Sequence, residues 1–243
     1  MKIYTRRGDD GTTGLLYGGR VRKISAVVAA NGAVDEAQAA LGAVRAEVER
    51  GSELDVLLVG VERDLYVLMA ELATAPANRH KLSDGTSRVD AAMVRSLEEQ
   101  IDRLTERFPP ISDFVVPGHD RVSALLDVAR TVVRRAERAA LLAEGAGVDD
   151  PGAGPGDDPG AGPGADREAG VEAGPVHSGG AASPAGAGSG TSQVGPYLNR
   201  LSDLVWTMAR WQEQGDSLLS RRARSLATET TETTETEETT DDH

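Results

Sequence analysis

The chain has 243 residues, no cysteine and a formal net charge of −13 at pH 7. It therefore has no disulfide framework and no cysteine nucleophile, and its four histidines (His80, His119, His177, His243) show no metal-ligand spacing. No apolar run approaches the roughly 18 residues of a membrane span and no apolar leader opens the chain, so a soluble cytoplasmic protein without a membrane partner is expected.

The opening segment, Thr5-Arg6-Arg7-Gly8-Asp9-Asp10-Gly11-Thr12-Thr13-Gly14, places three glycines, three threonines and two arginines within ten residues. Glycine lets backbone approach a ligand closely, and threonine and arginine donate to phosphate oxygens. The segment has little to bury, so a nucleotide triphosphate accounts for it better than packing does. A solvated N-terminal arm is the competing account. It is not a P-loop, because no G-x-x-x-x-G-K-[ST] occurs.

Helical periodicity follows in five segments. The first spans about residues 26–49. The second, 53–73, sets Leu54, Leu57, Leu58, Val61, Leu65, Leu68 and Leu72 in one wide apolar stripe. The third, 90–107, carries Val94, Leu97, Ile101 and Leu104 on one face and stops at Pro109-Pro110. A short extended stretch, residues 113–118, leads to a fourth helix over 120–143 with Asp120 as its N-cap. A fifth begins near Pro196, which suits a first helical turn, and points Leu198, Leu201, Leu204, Val205 and Met208 inward. No segment alternates over a strand's length. The expected fold is an all-α five-helix bundle: an N-terminal loop (1–25), helices one to four (26–144), an insert (145–195), helix five (196–225) and an acidic tail (226–243).

The insert is nearly all Gly, Ala, Pro, Ser and Asp, and the tail is Thr, Glu and Asp; neither has enough apolar surface to offset its ordering entropy, so both are expected to be disordered. Together they hold the entire net charge: −6 in the insert and −7 in the tail. The folded remainder carries 25 acids and 25 bases, which argues against a broad basic surface for nucleic acid.

On the fourth helix Arg130, Arg134 and Arg138 recur every four residues and share a face, while Arg135 points elsewhere. A solvated basic face is the ordinary fate of such a run; a polyphosphate, or acids on neighbouring helices, would also compensate it. Asp35 sits among Ala30, Ala33, Val34 and Ala40 and is expected to be partly buried, needing a cation. Asn199 and Asp203 lie four apart on the fifth helix; the Asn amide could serve adenine or ribose, or simply bridge helices.

Taken in order, residues 5–15, Val34-Asp35-Glu36, Phe114-Val115-Val116-Pro117-Gly118, residues 129–138 and Leu198-Asn199-Arg200-Leu201-Ser202-Asp203 resemble the motifs of the PduO-type ATP:cob(I)alamin adenosyltransferases. The resemblance covers residues 1 to about 145 and 194 to about 215. It implies a five-helix bundle forming a homotrimer, active sites between subunits, ATP with Mg²⁺ at the N-terminal loop, and cobalamin at the bundle end. It assigns Thr5, Arg6, Arg7, Gly8, Thr13, Gly14 and Lys23 to ATP, with Arg134, Arg135, Ala136, Glu137 and Arg138 adding to that site and Asn199 closing it. It pairs Arg130 with Asp35 across the subunit interface and places Phe114 below the corrin, where it displaces the lower axial ligand. A flavin-type reductase and a cobalamin-dependent acceptor enzyme would be its partners. Two departures, His119 for a second glycine and Asp127 for a histidine, motivate an alternative: an ATP-binding cobalamin chaperone or sensor without transferase activity.

Overall fold

The computed structural model describes residues 3–145 and 192–220. It contains the five expected helices, α1 (Ala26–Ala46), α2 (Glu53–Leu72), α3 (Ala91–Thr105), α4 (Arg121–Gly145) and α5 (Val194–Gln212). Side-chain caps set their starts. Ser25 accepts from Val28 N, Ser52 from Asp55 N, and Asp90 from Ala92 N and Met93 N. Asp120 caps α4 reciprocally: its Oδ1 accepts from Ser123 N at 2.8 Å, and its own N–H donates to Ser123 Oγ at 3.2 Å.

Four features differ from expectation. Two three-residue strands, β1 (Thr12–Gly14) and β2 (Arg20–Arg22), pair antiparallel and put Thr13 opposite Val21. Three residues are too short for alternation to show. A 3₁₀ turn, Pro76–Lys81, follows α2. Helix α5 starts at Val194, two residues early, because Val194 and Gly195 are buried against the bundle. It stops at Gln212 rather than 225, where Gln214 (φ 51°) and Gly215 (φ 93°) turn the chain back. The insert otherwise, and the tail, lie outside the described residues.

Helix α4 packs between α1 and α5, with α2 against α1 and α3 against α5. Alanines and valines make that close approach possible: Ala30, Val34 and Ala37 of α1 and Ala129, Val133, Ala136 and Ala140 of α4 have no exposed surface. Ion pairs Arg135–Glu36 and Arg121–Glu47 run α4 antiparallel to α1. The bundle therefore has two distinct ends. One gathers the hairpin, the start of α1 and α5, and the end of α2 and α4. There Glu71 accepts from Val89 N and Ser192 Oγ, tying α2 to the segments entering α3 and α5. The other end gathers the end of α1, α3 and α5 and the start of α2 and α4. There Glu53 of α2 pairs with Arg103 and Arg107.

Asp55 accepts from Gly51 N and from Arg45 Nε, each at 2.8 Å. The Gly51 bond first, then the Arg45 guanidinium, hold its carboxyl below the usual range. A depressed folded-state value means that this stabilisation is present above the ordinary carboxylate pKa of about 4 and is lost as pH falls through the folded value. Asp55→Asn should therefore lower Tm at pH 7 and flatten the acid limb of a Tm-versus-pH curve.

Candidate functional site

The hairpin is fastened to the bundle by backbone. Leu16 N donates to Ala73 O at 2.8 Å, and Asn78 Nδ2 donates to Tyr17 O at 3.2 Å. Arg20, which sequence reasoning passed over, organises the loop: its guanidinium donates to Thr12 Oγ1 and to Arg7 O at 2.7 Å. Asp10 accepts from Thr12 N and Oγ1, and these bonds, the backbone one foremost, hold its carboxyl below its usual range, with the Arg20 guanidinium adding less. Gly8 is required sterically. A Cβ there would stand 3.0 Å from both Lys23 Nζ and Thr12 O, so glycine is what lets the Lys23 ammonium lie over the loop.

Thr5, Arg6, Arg7 and Lys23 are exposed, and Gly8 and Thr13 half-buried, in this loop region. Among the described residues the side chains of Arg6, Arg7 and Lys23 have no carboxylate partner; Arg6 only overlies the Tyr4 ring at 5.5 Å. Gly14 stands opposite Arg20 in the hairpin. Backbone N–H groups, threonine hydroxyls and uncompensated cations thus converge at one end of the bundle, which is what a polyphosphate requires.

On α4, Arg134 and Arg138 are exposed and likewise form no ion pair among the described residues. Arg135 is instead compensated by Glu36. Ala136 is fully buried in the core, so its side chain is not presented to solvent beside Arg134 and Arg138. Glu137 Oε1 accepts from Asn199 Nδ2 at 2.9 Å, and Asn199 Oδ1 accepts from Arg200 at 2.6 Å. The Asn199 amide thus bridges helices.

Asp35 is exposed rather than partly buried, since it leaves α1 on the side away from Val34 and Ala37. It does not meet Arg130 within the chain. Arg130 is half-buried, and its Nε is buried with no hydrogen-bond partner.

Phe114 lies at the opposite end of the bundle, 85% exposed. Ser220 N donates to Phe114 O and Val116 N donates to Leu218 O, both at 2.8 Å, so the segment after α5 forms a short antiparallel clasp with the Phe114 segment. Behind the clasp lies a constellation that sequence reasoning missed. The Arg210 guanidinium donates to Asp127 Oδ2 at 2.7 Å and to Glu213 Oε1 at 3.0 Å, with all three side chains nearly or wholly buried. An arginine inside the apolar run of α5 was its only sequence signal. Asp127 is thereby withdrawn from any ligand face, while His119 is exposed.

Comparison with known proteins agrees with this arrangement. Residues 3–151 match the family described as cobalamin adenosyltransferase. A corrinoid adenosyltransferase of Mycobacterium tuberculosis (strain ATCC 25618 / H37Rv) is 34% identical over 228 residues, spanning 90% of this chain and 97% of that protein. A corrinoid adenosyltransferase of Citrobacter freundii is 41% identical over 137 residues, spanning 56% of this chain and 76% of that one. The solved structure of a phenylalanine-to-histidine variant of a PduO-type ATP:corrinoid adenosyltransferase from Lactobacillus reuteri, complexed with cobalamin and ATP, superposes with a TM-score of 0.64 at 26% identity, covering 90% of this chain and 97% of that one. On the strength of a matched family spanning more than half its length and relatives aligned nearly end to end, the chain belongs to the cobalamin adenosyltransferase family.

Proposed function

We infer that the chain transfers the 5′-deoxyadenosyl group of ATP to the cobalt of a cob(I)alamin-type corrinoid and releases triphosphate. The observation that carries the reading is the pairing of an uncompensated cationic Gly/Thr loop with an exposed aromatic held on its own clasp. In the reaction the Co(I) electron pair attacks C5′, the C5′–O bond breaks, and triphosphate departs with the bonding pair. Co(I) is a strong nucleophile, so no protein base has to activate it. The protein's tasks are alignment and stabilisation of the leaving group.

Arg6, Arg7 and Lys23, with Gly8, Thr5, Thr13 and Gly14, would hold the triphosphate; Arg134 and Arg138 would extend the same positive field along α4. Among the described residues no group of three or more His, Asp or Glu side chains gathers around a cation position. Mg²⁺ therefore fits as an ion carried on the phosphates, with the exposed, unpartnered Asp9 the loop carboxylate placed to help hold it. Bound there, it would neutralise charge developing on the leaving group. Phe114 would pack below the corrin and keep water and the lower ligand off cobalt.

Within one chain the hairpin and Phe114 stand at opposite ends of the bundle, about 30 Å apart judging from the 21 residues of α1 at roughly 1.5 Å each. A site that uses both draws them from two copies. This supports active sites between subunits; the homotrimer, a flavin-type reductase that feeds it and a cobalamin-dependent acceptor enzyme are what the family resemblance adds to the proposal. The chaperone reading loses the weight it placed on Asp127, which is neutralised by Arg210.

The test is an anaerobic absorbance assay with chemically reduced cobalamin, Mg²⁺ and ATP. A photolabile adenosylcobalamin spectrum that requires ATP is the expected result. ATP binding with a flat absorbance trace would overturn the transferase reading.

A further inference from the structure

We propose that the buried Asp127–Arg210–Glu213 network is a positioning device for Phe114. The proposal rests on the reading that Phe114 faces the corrin. The Phe114 ring is 85% exposed, so packing within the chain does not orient it. Its backbone is fixed instead by the returning segment: Ser220 N on Phe114 O, and Val116 N on Leu218 O. Two further bonds close on Asp113, whose Oδ1 accepts from Phe114 N at 2.8 Å and whose Oδ2 accepts from Ser220 Oγ at 3.1 Å.

The returning segment is tied in turn to the buried charges. Glu213 is the last residue before the reversal; its Oε1 accepts from Arg210, and its Oε2 accepts from Ser217 Oγ. Gly215 seats the reversal against Pro109, where a Cβ would come within 3.1 Å of Pro109 Cδ in a backbone already at φ 93°. A continuous path of named contacts thus runs from Asp127 on α4, through Arg210 and Glu213 on α5, to Ser217, Leu218, Ser220 and Phe114.

Stability does not explain the network. Two carboxylates and a guanidinium withdrawn from water recover little that an apolar trio of similar volume would not supply. Fixed geometry is what the charges add, because a single guanidinium nitrogen, Arg210 Nη2, serves two carboxylates on different segments. Arg210 also lies 5.8 Å from the Trp206 ring centroid, which limits its movement further. The network is remote from the ATP loop, at the other end of α4 and α5. A positioning role therefore predicts an effect on the corrin step and none on nucleotide affinity.

Ser217 allows the test without leaving a buried charge unpaired. Ser217→Ala and Ser217→Thr should be compared in the full-length enzyme, alone and combined with Phe114→Ala. The measurements are kcat, KM for ATP, and the absorbance of cob(II)alamin with ATP bound, which reports loss of the lower ligand. Ser217→Ala is expected to lower kcat about tenfold and the ligand-free signal with it, at unchanged KM for ATP. Threonine should restore both. In the Phe114→Ala background Ser217→Ala should add nothing, because the path ends at the missing ring.

Arg210→Lys, which keeps the charge but loses the planar guanidinium that sets where the bridging nitrogen stands, should reproduce the split, with Tm recorded to confirm folding. Wild-type kcat and cob(II)alamin spectrum in Ser217→Ala, or losses that multiply in the double variant, would overturn the proposal while Phe114 keeps its role. Wild-type kcat in Phe114→Ala alone would overturn the reading of Phe114 itself.

Discussion

Phe114→Ala is expected to lower turnover by about 10²-fold while KM for ATP stays within about twofold of wild type, a loss of roughly 2.7 kcal/mol confined to the cobalt step. The split follows from where Phe114 stands. Its side chain is almost fully exposed and at the end of the bundle away from Gly8 and Lys23, so removing it vacates no core volume and touches no group of the loop. Tm should be unchanged, since an exposed ring contributes little burial and its backbone bonds to Leu218 and Ser220 do not depend on the side chain. What alanine removes is an apolar wedge. On the proposed reading, a lower ligand or water would then stay on cobalt, leaving the reduced nucleophile harder to reach and the reacting face wetter. Steady-state kinetics with separately varied ATP and corrinoid will decide it. A collapse of ATP affinity with kcat preserved would remove Phe114 from the corrin face.

How far the sequence carried this reading differs from element to element. The helices were legible because Leu58, Leu65 and Leu68 or Leu198, Leu201 and Leu204 repeat at helical spacing and the structure buries all of them. The Asp120 cap, read locally, gave a start for α4 that agrees with the structure, and the start read at Asp90 falls on the residue that caps α3. The hairpin was not legible. Its strands are three residues long, and what holds them is the Arg20 guanidinium reaching back to Thr12 and the Arg7 carbonyl, a contact with no periodic signature.

The early stop of α5 has a similar cause. Composition beyond Gln212 permits more helix, but Gln214 adopts a left-handed backbone, and the chain beyond Gly215 returns to pair with the Phe114 segment. At the site, spacing put Arg134 and Arg138 correctly on a solvent face, yet it could not tell that Ala136, two residues from Arg134, turns wholly inward. It also could not pair Asp127 with Arg210, 83 residues away. Asp35 was misjudged for the opposite reason. Small neighbours suggested burial, but on a helix adjacent residues point in different directions, and Val34 takes the core while Asp35 takes the solvent.

The Asp35→Arg and Arg130→Asp exchange is the second large effect. If the proposed homotrimer forms through this pair, each single reversal is expected to dissociate it and lower turnover by at least about 10²-fold, and the double exchange to restore both the assembled mass and most of the activity. The pair cannot close within a chain. Arg135 meets Glu36, so Arg130, five residues nearer the start of α4, is displaced by roughly 9 Å along antiparallel helices from Asp35 at about 1.5 Å per residue. Each group is left in a state that a second copy would resolve. Asp35 is exposed without an ion pair among the described residues, and Arg130 keeps a buried Nε with no acceptor.

A reversal at one position would set two like charges against each other where the reading joins two copies, a cost on both mass and activity because the proposed site draws the ATP loop and Phe114 from different chains. Reversal at both would rebuild the attraction with its direction exchanged. Light-scattering mass and turnover measured on the same samples separate the possibilities. Singles that remain trimeric and active would place the subunit contact elsewhere on α1 and α4. Singles that dissociate and a double that does not reassemble would mean that these side chains face the interface without facing each other.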